Sequence, residues 1–143
     1  MKDFFLLANV LAFINLSIIT RNIHFMKIQQ IGFYLATSVL TAIMIYSAQM
    51  YLRSPEAIAG YFESVNYPSY LVYPLAIAKI LGLVAIWGNF SKSLKEWAYA
   101  GFFFDVTLAF TAHMVAKDGG ELFSIIAFIA LMISYFLGKQ VRP

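Results

Sequence analysis

The stretch YPLAIAKILGLVAIW, residues 73–87, is apolar except for Lys79 and the hydroxyl of Tyr73, and an opposite charge, Asp105, interrupts the apolar run GFFFDVTLAF at 101–110. Ionisable groups in such surroundings relay protons, line a path for a polar substrate, or pair with one another and fix how two helices pack. The structural pairing is the preferred reading. A second group of candidates is His113 with Tyr67, Tyr70 and Tyr73. Imidazole and phenol groups at a membrane edge can hydrogen-bond a quinone carbonyl or pass a proton. The plainer reading is that they cap polar groups at the boundary.

The chain that positions these residues is built for a lipid bilayer. Of its 143 residues, 62% are hydrophobic and 12% charged, and the mean hydropathy is +0.77. A soluble domain of this size needs far more polar surface. Runs at about 31–52, 70–88, 97–115 and 122–138 each approach the roughly 20 residues that cross hydrocarbon as a helix. Their polarity does not alternate, which argues against a transmembrane β-barrel. The expected fold class is all-α: a four-transmembrane-helix bundle over residues 26–143, with residues 1–25 as an N-terminal hydrophobic extension or an extra helix. The segment FFLLANVLAFINLSIIT (4–20) carries Asn9 and Asn15 and is followed by no small-residue cleavage site, so a cleaved signal peptide is disfavoured. An additional helix is slightly preferred over an extension upstream of a start at Met26.

The formal charge of +3 does not point to nucleic acid, because the basic residues form no stripe on one element. They alternate by connection instead. Arg21, Lys27, Lys92, Lys95, Lys139 and Arg142 fall on one side of the bundle. Arg53 and Lys117 fall on the other, among Glu56, Glu63, Asp118 and Glu121. The positive-inside rule makes the first side cytoplasmic, and with it the C-terminus.

The second and third core helices then form a hairpin whose inner loop lies between Trp87 and Trp97. Lys79 lies eight residues before the first tryptophan and Asp105 eight after the second, so each sits roughly 12 Å inward and the two are level. That is close to the middle of a hydrocarbon layer about 30 Å thick, where an unpaired charge costs about 2.5–3.5 kcal/mol or more. Lys79 and Asp105 are therefore expected to face each other inside the bundle, with Ser38 and Thr41 of the first helix at a similar depth. Between the first two core helices, RSPEAIAGYFESV offers Ser54 as N-cap and Pro55 at the first helical position. Ile58, Tyr61, Phe62 and Val65 then form the apolar face of a short interfacial helix.

Other chemistry is excluded more firmly. With no cysteine the chain alone forms no disulfide and holds no iron–sulfur cluster. His24 and His113 fall on opposite sides and cannot share a metal or haem. KDGGE at 117–121 reads as a tight turn, not a phosphate loop.

The stretches YPSYLVYPLAIAKILGLVAI, LKEWAYAGFFFDVTLAFTAHMVAKDGG and SYFLGK resemble the DoxX-like family of small bacterial membrane proteins, over residues 27–139. On that pattern Tyr67, Pro68, Pro74, Lys79, Gly82, Lys95, Trp97, Tyr99, Gly101, Asp105, His113 and Asp118 occupy characteristic positions. The resemblance implies a multi-pass protein of the bacterial inner membrane and a link to quinone-associated redox systems or to assembly of other membrane proteins. It does not decide whether the chain is an enzyme. The first reading is a non-enzymatic accessory component that binds a lipid or quinone-like molecule, or a partner such as another membrane protein or redox subunit; self-association into a homo-oligomer is also open. The alternative is a quinone-linked oxidoreductase subunit in which Lys79 and Asp105 transfer protons. A proton-coupled transporter comes third, since four short spans leave little room for a path.

Overall fold

The computed structural model describes the backbone from residue 2 to 143, and side chains at 13, 16, 17, 19–21 and 23–143. Among the described residues it is all helix: α1 (Lys2–Arg53), α2 (Pro55–Ser64), a single 3-10 turn (Ser69–Leu71), α3 (Val72–Gly88), α4 (Lys92–Ala116) and α5 (Glu121–Val141). Four segments are long and apolar enough to cross a bilayer, namely Ile19–Arg53, Ser69–Gly88, Lys92–Ala116 and Glu121–Val141. The protein is a multi-pass membrane protein.

α1 and α4 each pack between α3 and α5 and lie diagonally across the bundle. Without a hydrophobic drive between helices in lipid, close approach depends on small residues and buried polar contacts. α5 buries Ser124, Ala127, Ala130, Leu131, Ser134 and Gly138, a three-four spacing that keeps one narrow seam facing inward. α1 answers with Phe33, Ala36, Thr37, Leu40, Met44 and Ala48. α3 and α4 pack closely at Gly82, where a Cβ would stand 2.7 Å from Cζ of the buried Phe102.

The helix limits depart from the apolar runs where polar residues are helical. α4 starts five residues ahead of the expected position: Ser91 is extended (φ −153°) and the polar turn from Lys92 is already helix, which hydropathy cannot register. The α3–α4 turn closes through Asn89 in the left-handed region, and α4 ends through Lys117 in the same conformation.

Residues 2–25 and the first core helix are joined without a turn, since α1 is one helix of 52 residues, roughly 78 Å at 1.5 Å per residue. The side chains of Asn9 and Asn15 lie outside the described residues. The described apolar side chains ahead of the bundle, Phe13, Leu16, Ile19, Ile23, Phe25, Met26 and Ile28, are exposed. The bundle itself begins near Gln29, whose amide donates to Gln140 near the end of α5.

Candidate functional site

Lys79 on α3 and Asp105 on α4 meet across the helix interface, with Nζ donating to both carboxylate oxygens. Lys79 is 4% exposed and the Asp105 side chain 13%. A charge-assisted, two-oxygen contact of this kind offsets the desolvation of each group. The third neighbour is Tyr51 of α1, whose ring centroid lies 5.2 Å from Nζ, within cation–π range. Phe62 of α2 packs edge-on against Tyr51 at 5.6 Å, and Tyr67 against Phe62 at 6.1 Å. The pair is thus roofed by aromatic rings toward the end of the bundle where α2 lies. Toward the other end stand Leu83, Ile86, Phe102, Met44 and Leu40, all in the apolar core.

Ser38 and Thr41 do not join this pair, which corrects the depth expected for them. Thr41 Oγ1 accepts from Trp87 Nε1 at 2.9 Å and donates to the Thr37 carbonyl. Ser38 is exposed and lines a shallow groove of about 430 Å³ with Gln30, Ile31, Tyr34 and Leu35. The physical reason is register. Centring the run 31–52 in a bilayer puts Thr41 at mid-depth, whereas α1 packs so that its last turns, with Tyr51, reach the lysine.

A second cluster joins α2, α4 and the α4–α5 turn. His113 Nδ1 lies 2.8 and 2.9 Å from the two Asp118 carboxylate oxygens and 3.1 Å from Tyr61 Oη. Asp118 Oδ1 also accepts from the Gly120 backbone N–H at 2.9 Å. The Gly120 amide, and after it His113, hold the Asp118 carboxyl below its ordinary range. Burial, reinforced by the Asp118 charge, raises the Tyr61 phenol so that it keeps its proton. This arrangement assigns the proton to His113 Nδ1, donated to Asp118. Nε2 has no partner among the described residues, and the ring is 30% exposed. Gly120 is required by packing rather than by its backbone angles: a Cβ there would lie 2.3 Å from Nδ1.

Of the tyrosines expected around His113, none takes the place that Tyr61 occupies. Tyr67 Oη donates to the Leu108 carbonyl at 3.2 Å and lies 3.0 Å from Thr111 Oγ1, lower on α4. Tyr70 and Tyr73 are exposed and make no hydrogen bond among the described residues. The sequence carried a usable signal for Tyr61, since it sits on the apolar face of α2 next to Phe62.

A third polar feature runs through Thr37, Ser134 and Tyr99. Thr37 Oγ1 donates to the Phe33 carbonyl at 2.7 Å, so it accepts from Ser134 Oγ, 2.7 Å away. Ser134 in turn accepts from Tyr99 Oη at 2.8 Å. The direction of this buried chain, which ties α4 to α5 to α1, follows from its terminal carbonyl.

Among the described residues no three His, Asp or Glu side chains come together as metal ligands. With its proton on Nδ1 facing the carboxylate, the imidazole presents an acceptor at the partly exposed Nε2, which can take a hydrogen bond, or a proton, from a hydroxyl group. That chemistry suits a hydroxyl-bearing headgroup such as that of a reduced quinone. No curated protein and no solved structure matches the chain, while a model described as the DoxX-like family matches residues 35–135.

Proposed function

The chain belongs to the DoxX-like family, and on that premise we propose that it is a non-enzymatic accessory protein of the bacterial inner membrane that holds a quinone-like lipid in support of a redox partner. The observation that carries this reading is His113, which Asp118 and Tyr61 fix through Nδ1 so that Nε2 is left to meet the ligand. The end of the bundle bearing α2 faces outward, because Glu56, Glu63, Asp118 and Glu121 lie there while Lys92, Lys95, Lys139 and Arg142 lie at the other. The C-terminus is cytoplasmic on this reading. Lys79 and Asp105 satisfy each other and serve to fix α3 against α4.

Titrating a short-chain quinol, whose hydroxyl can donate to Nε2, into the protein in nanodiscs tests the reading. One lost hydrogen bond is worth about 1 kcal/mol, so His113→Phe should weaken binding about fivefold. Asp118→Asn, which keeps the imidazole but frees its orientation, should weaken it less. Equal binding by all three chains would remove His113 from the site.

The second reading, a quinone-linked oxidoreductase subunit, draws on the buried charge pair beneath Tyr51. It requires turnover with a quinol or quinone that Asp105→Asn abolishes. Binding without turnover would leave the accessory reading in place.

A further inference from the structure

Between the first turn of α2 and the start of α3 lies a cleft of about 230 Å³, lined by Pro55, Glu56, Ala59, Ser69, Val72 and Tyr73. It is separate from the His113 cluster, which Tyr61 approaches from farther along α2. Its walls are apolar except for one carboxylate and two hydroxyls. The side chains of Glu56, Ser69 and Tyr73 form no hydrogen bond or ion pair among the described residues, and Glu56 is exposed. Arg53, two residues before Pro55, is likewise exposed and forms no ion pair.

The cleft sits at the level where a headgroup meets hydrocarbon, because Ser69 is the first residue of the membrane-spanning segment Ser69–Gly88. Below it, α3 presents Tyr73, Ile77, Ile80 and Val84, all exposed and spaced to form one stripe along the helix. From Tyr73 to Val84 the stripe is roughly 16 Å long, about half the hydrocarbon thickness and so the depth of one leaflet. A carboxylate at the rim, hydroxyl donors beside it and an apolar track one leaflet deep complement a headgroup with a cation, a phosphate and an acyl chain.

We propose that this cleft binds an ammonium-bearing zwitterionic phospholipid of the phosphatidylethanolamine type. Its ammonium pairs with Glu56, its phosphate accepts from Ser69 and Tyr73, and an acyl chain lies along Ile77, Ile80 and Val84. The pairing at Glu56 is what separates this lipid from an anionic one, whose headgroup offers no cation and meets the carboxylate as a like charge.

The test is native mass spectrometry of the full chain released from nanodiscs holding equal amounts of phosphatidylethanolamine and phosphatidylglycerol. The wild type should retain the amine lipid about fivefold over the glycerol lipid, as expected for a partly exposed ion pair of about 1 kcal/mol. Glu56→Gln should bring the ratio close to one. Glu63→Gln, which removes the same charge from the far end of α2, should leave it unchanged, and Tyr73→Phe should lower retention without inverting the preference. Equal retention of the two lipids by the wild type, or a preference that survives Glu56→Gln, would overturn the proposal. Because His113 is untouched in every variant, quinol binding measured on the same preparations separates this outcome from that of the functional reading.

Discussion

Lys79 and Asp105 lie 26 positions apart in sequence and form one buried ion pair that joins α3 to α4. Each is intolerable in lipid without the other, so removing one partner strands a charge. Asp105→Asn and Lys79→Met should each destabilise the folded bundle by about 3–5 kcal/mol. The double variant should cost less than the sum of the two, with a coupling of about 1–3 kcal/mol. Unfolding by a denaturing detergent, followed by circular dichroism, measures all three. Strict additivity would show that the two groups do not act as partners.

The approach of α3 to α4 beside that pair depends on the missing side chain at Gly82. Adding a methyl group drives the Phe102 ring out of its place in the core, and overpacking of this kind costs about 1–3 kcal/mol. Gly101 on the exposed face of α4 has nothing within 4 Å of a would-be Cβ, and its replacement by alanine should be neutral or slightly stabilising. Comparing Gly82→Ala with Gly101→Ala in the same unfolding assay separates packing from helix propensity.

The latch between α2 and α4 should respond to acid in a defined direction. Asp118 is held below its ordinary range by Gly120 and His113. Its contribution to stability is therefore complete above the unfolded carboxylate value of about 3.9 and is lost as the pH falls below it toward the folded value. Hydrogen exchange across residues 55–65, after correction for intrinsic rates, should rise as the pH falls below about 4. Asp118→Asn should show faster exchange with no acid transition. Gly120→Ala, which displaces the imidazole, should accelerate exchange in the same segment.

Much of this architecture is legible in the sequence, and the parts that are not share a cause. Hydropathy finds four spans because the bilayer demands long apolar helices, and the two tryptophans flanking residues 88–96 place Lys79 level with Asp105. Neither signal reports how far α1 slides along its neighbours. Thr41 therefore lies at the level of Trp87 rather than of the ion pair, and Tyr51 of α1 takes the place beside Lys79. Shared depth at the membrane edge groups Tyr67, Tyr70 and Tyr73 with His113, whereas α2 folds back over the bundle and brings Tyr61 to the imidazole. Nor can a hydropathy profile see Ser134, a single hydroxyl in an apolar helix whose partners lie 35 and 97 residues away.

That serine is the middle of a directional chain, and the direction ranks two substitutions. In Ser134→Ala, Thr37 keeps its bond to the Phe33 carbonyl, but the buried Tyr99 hydroxyl loses its acceptor. A stranded donor costs about 1–3 kcal/mol. In Tyr99→Phe the donor itself is gone, and Ser134 keeps its bond to Thr37, so only the net value of one hydrogen bond is lost, about 0.5–1.5 kcal/mol. Adding Tyr99→Phe to Ser134→Ala should then recover part of the stability lost in the serine variant, because it removes the stranded hydroxyl. Detergent unfolding of the two single variants and the double variant measures this, and a double variant less stable than Ser134→Ala alone would show that Tyr99 donates elsewhere.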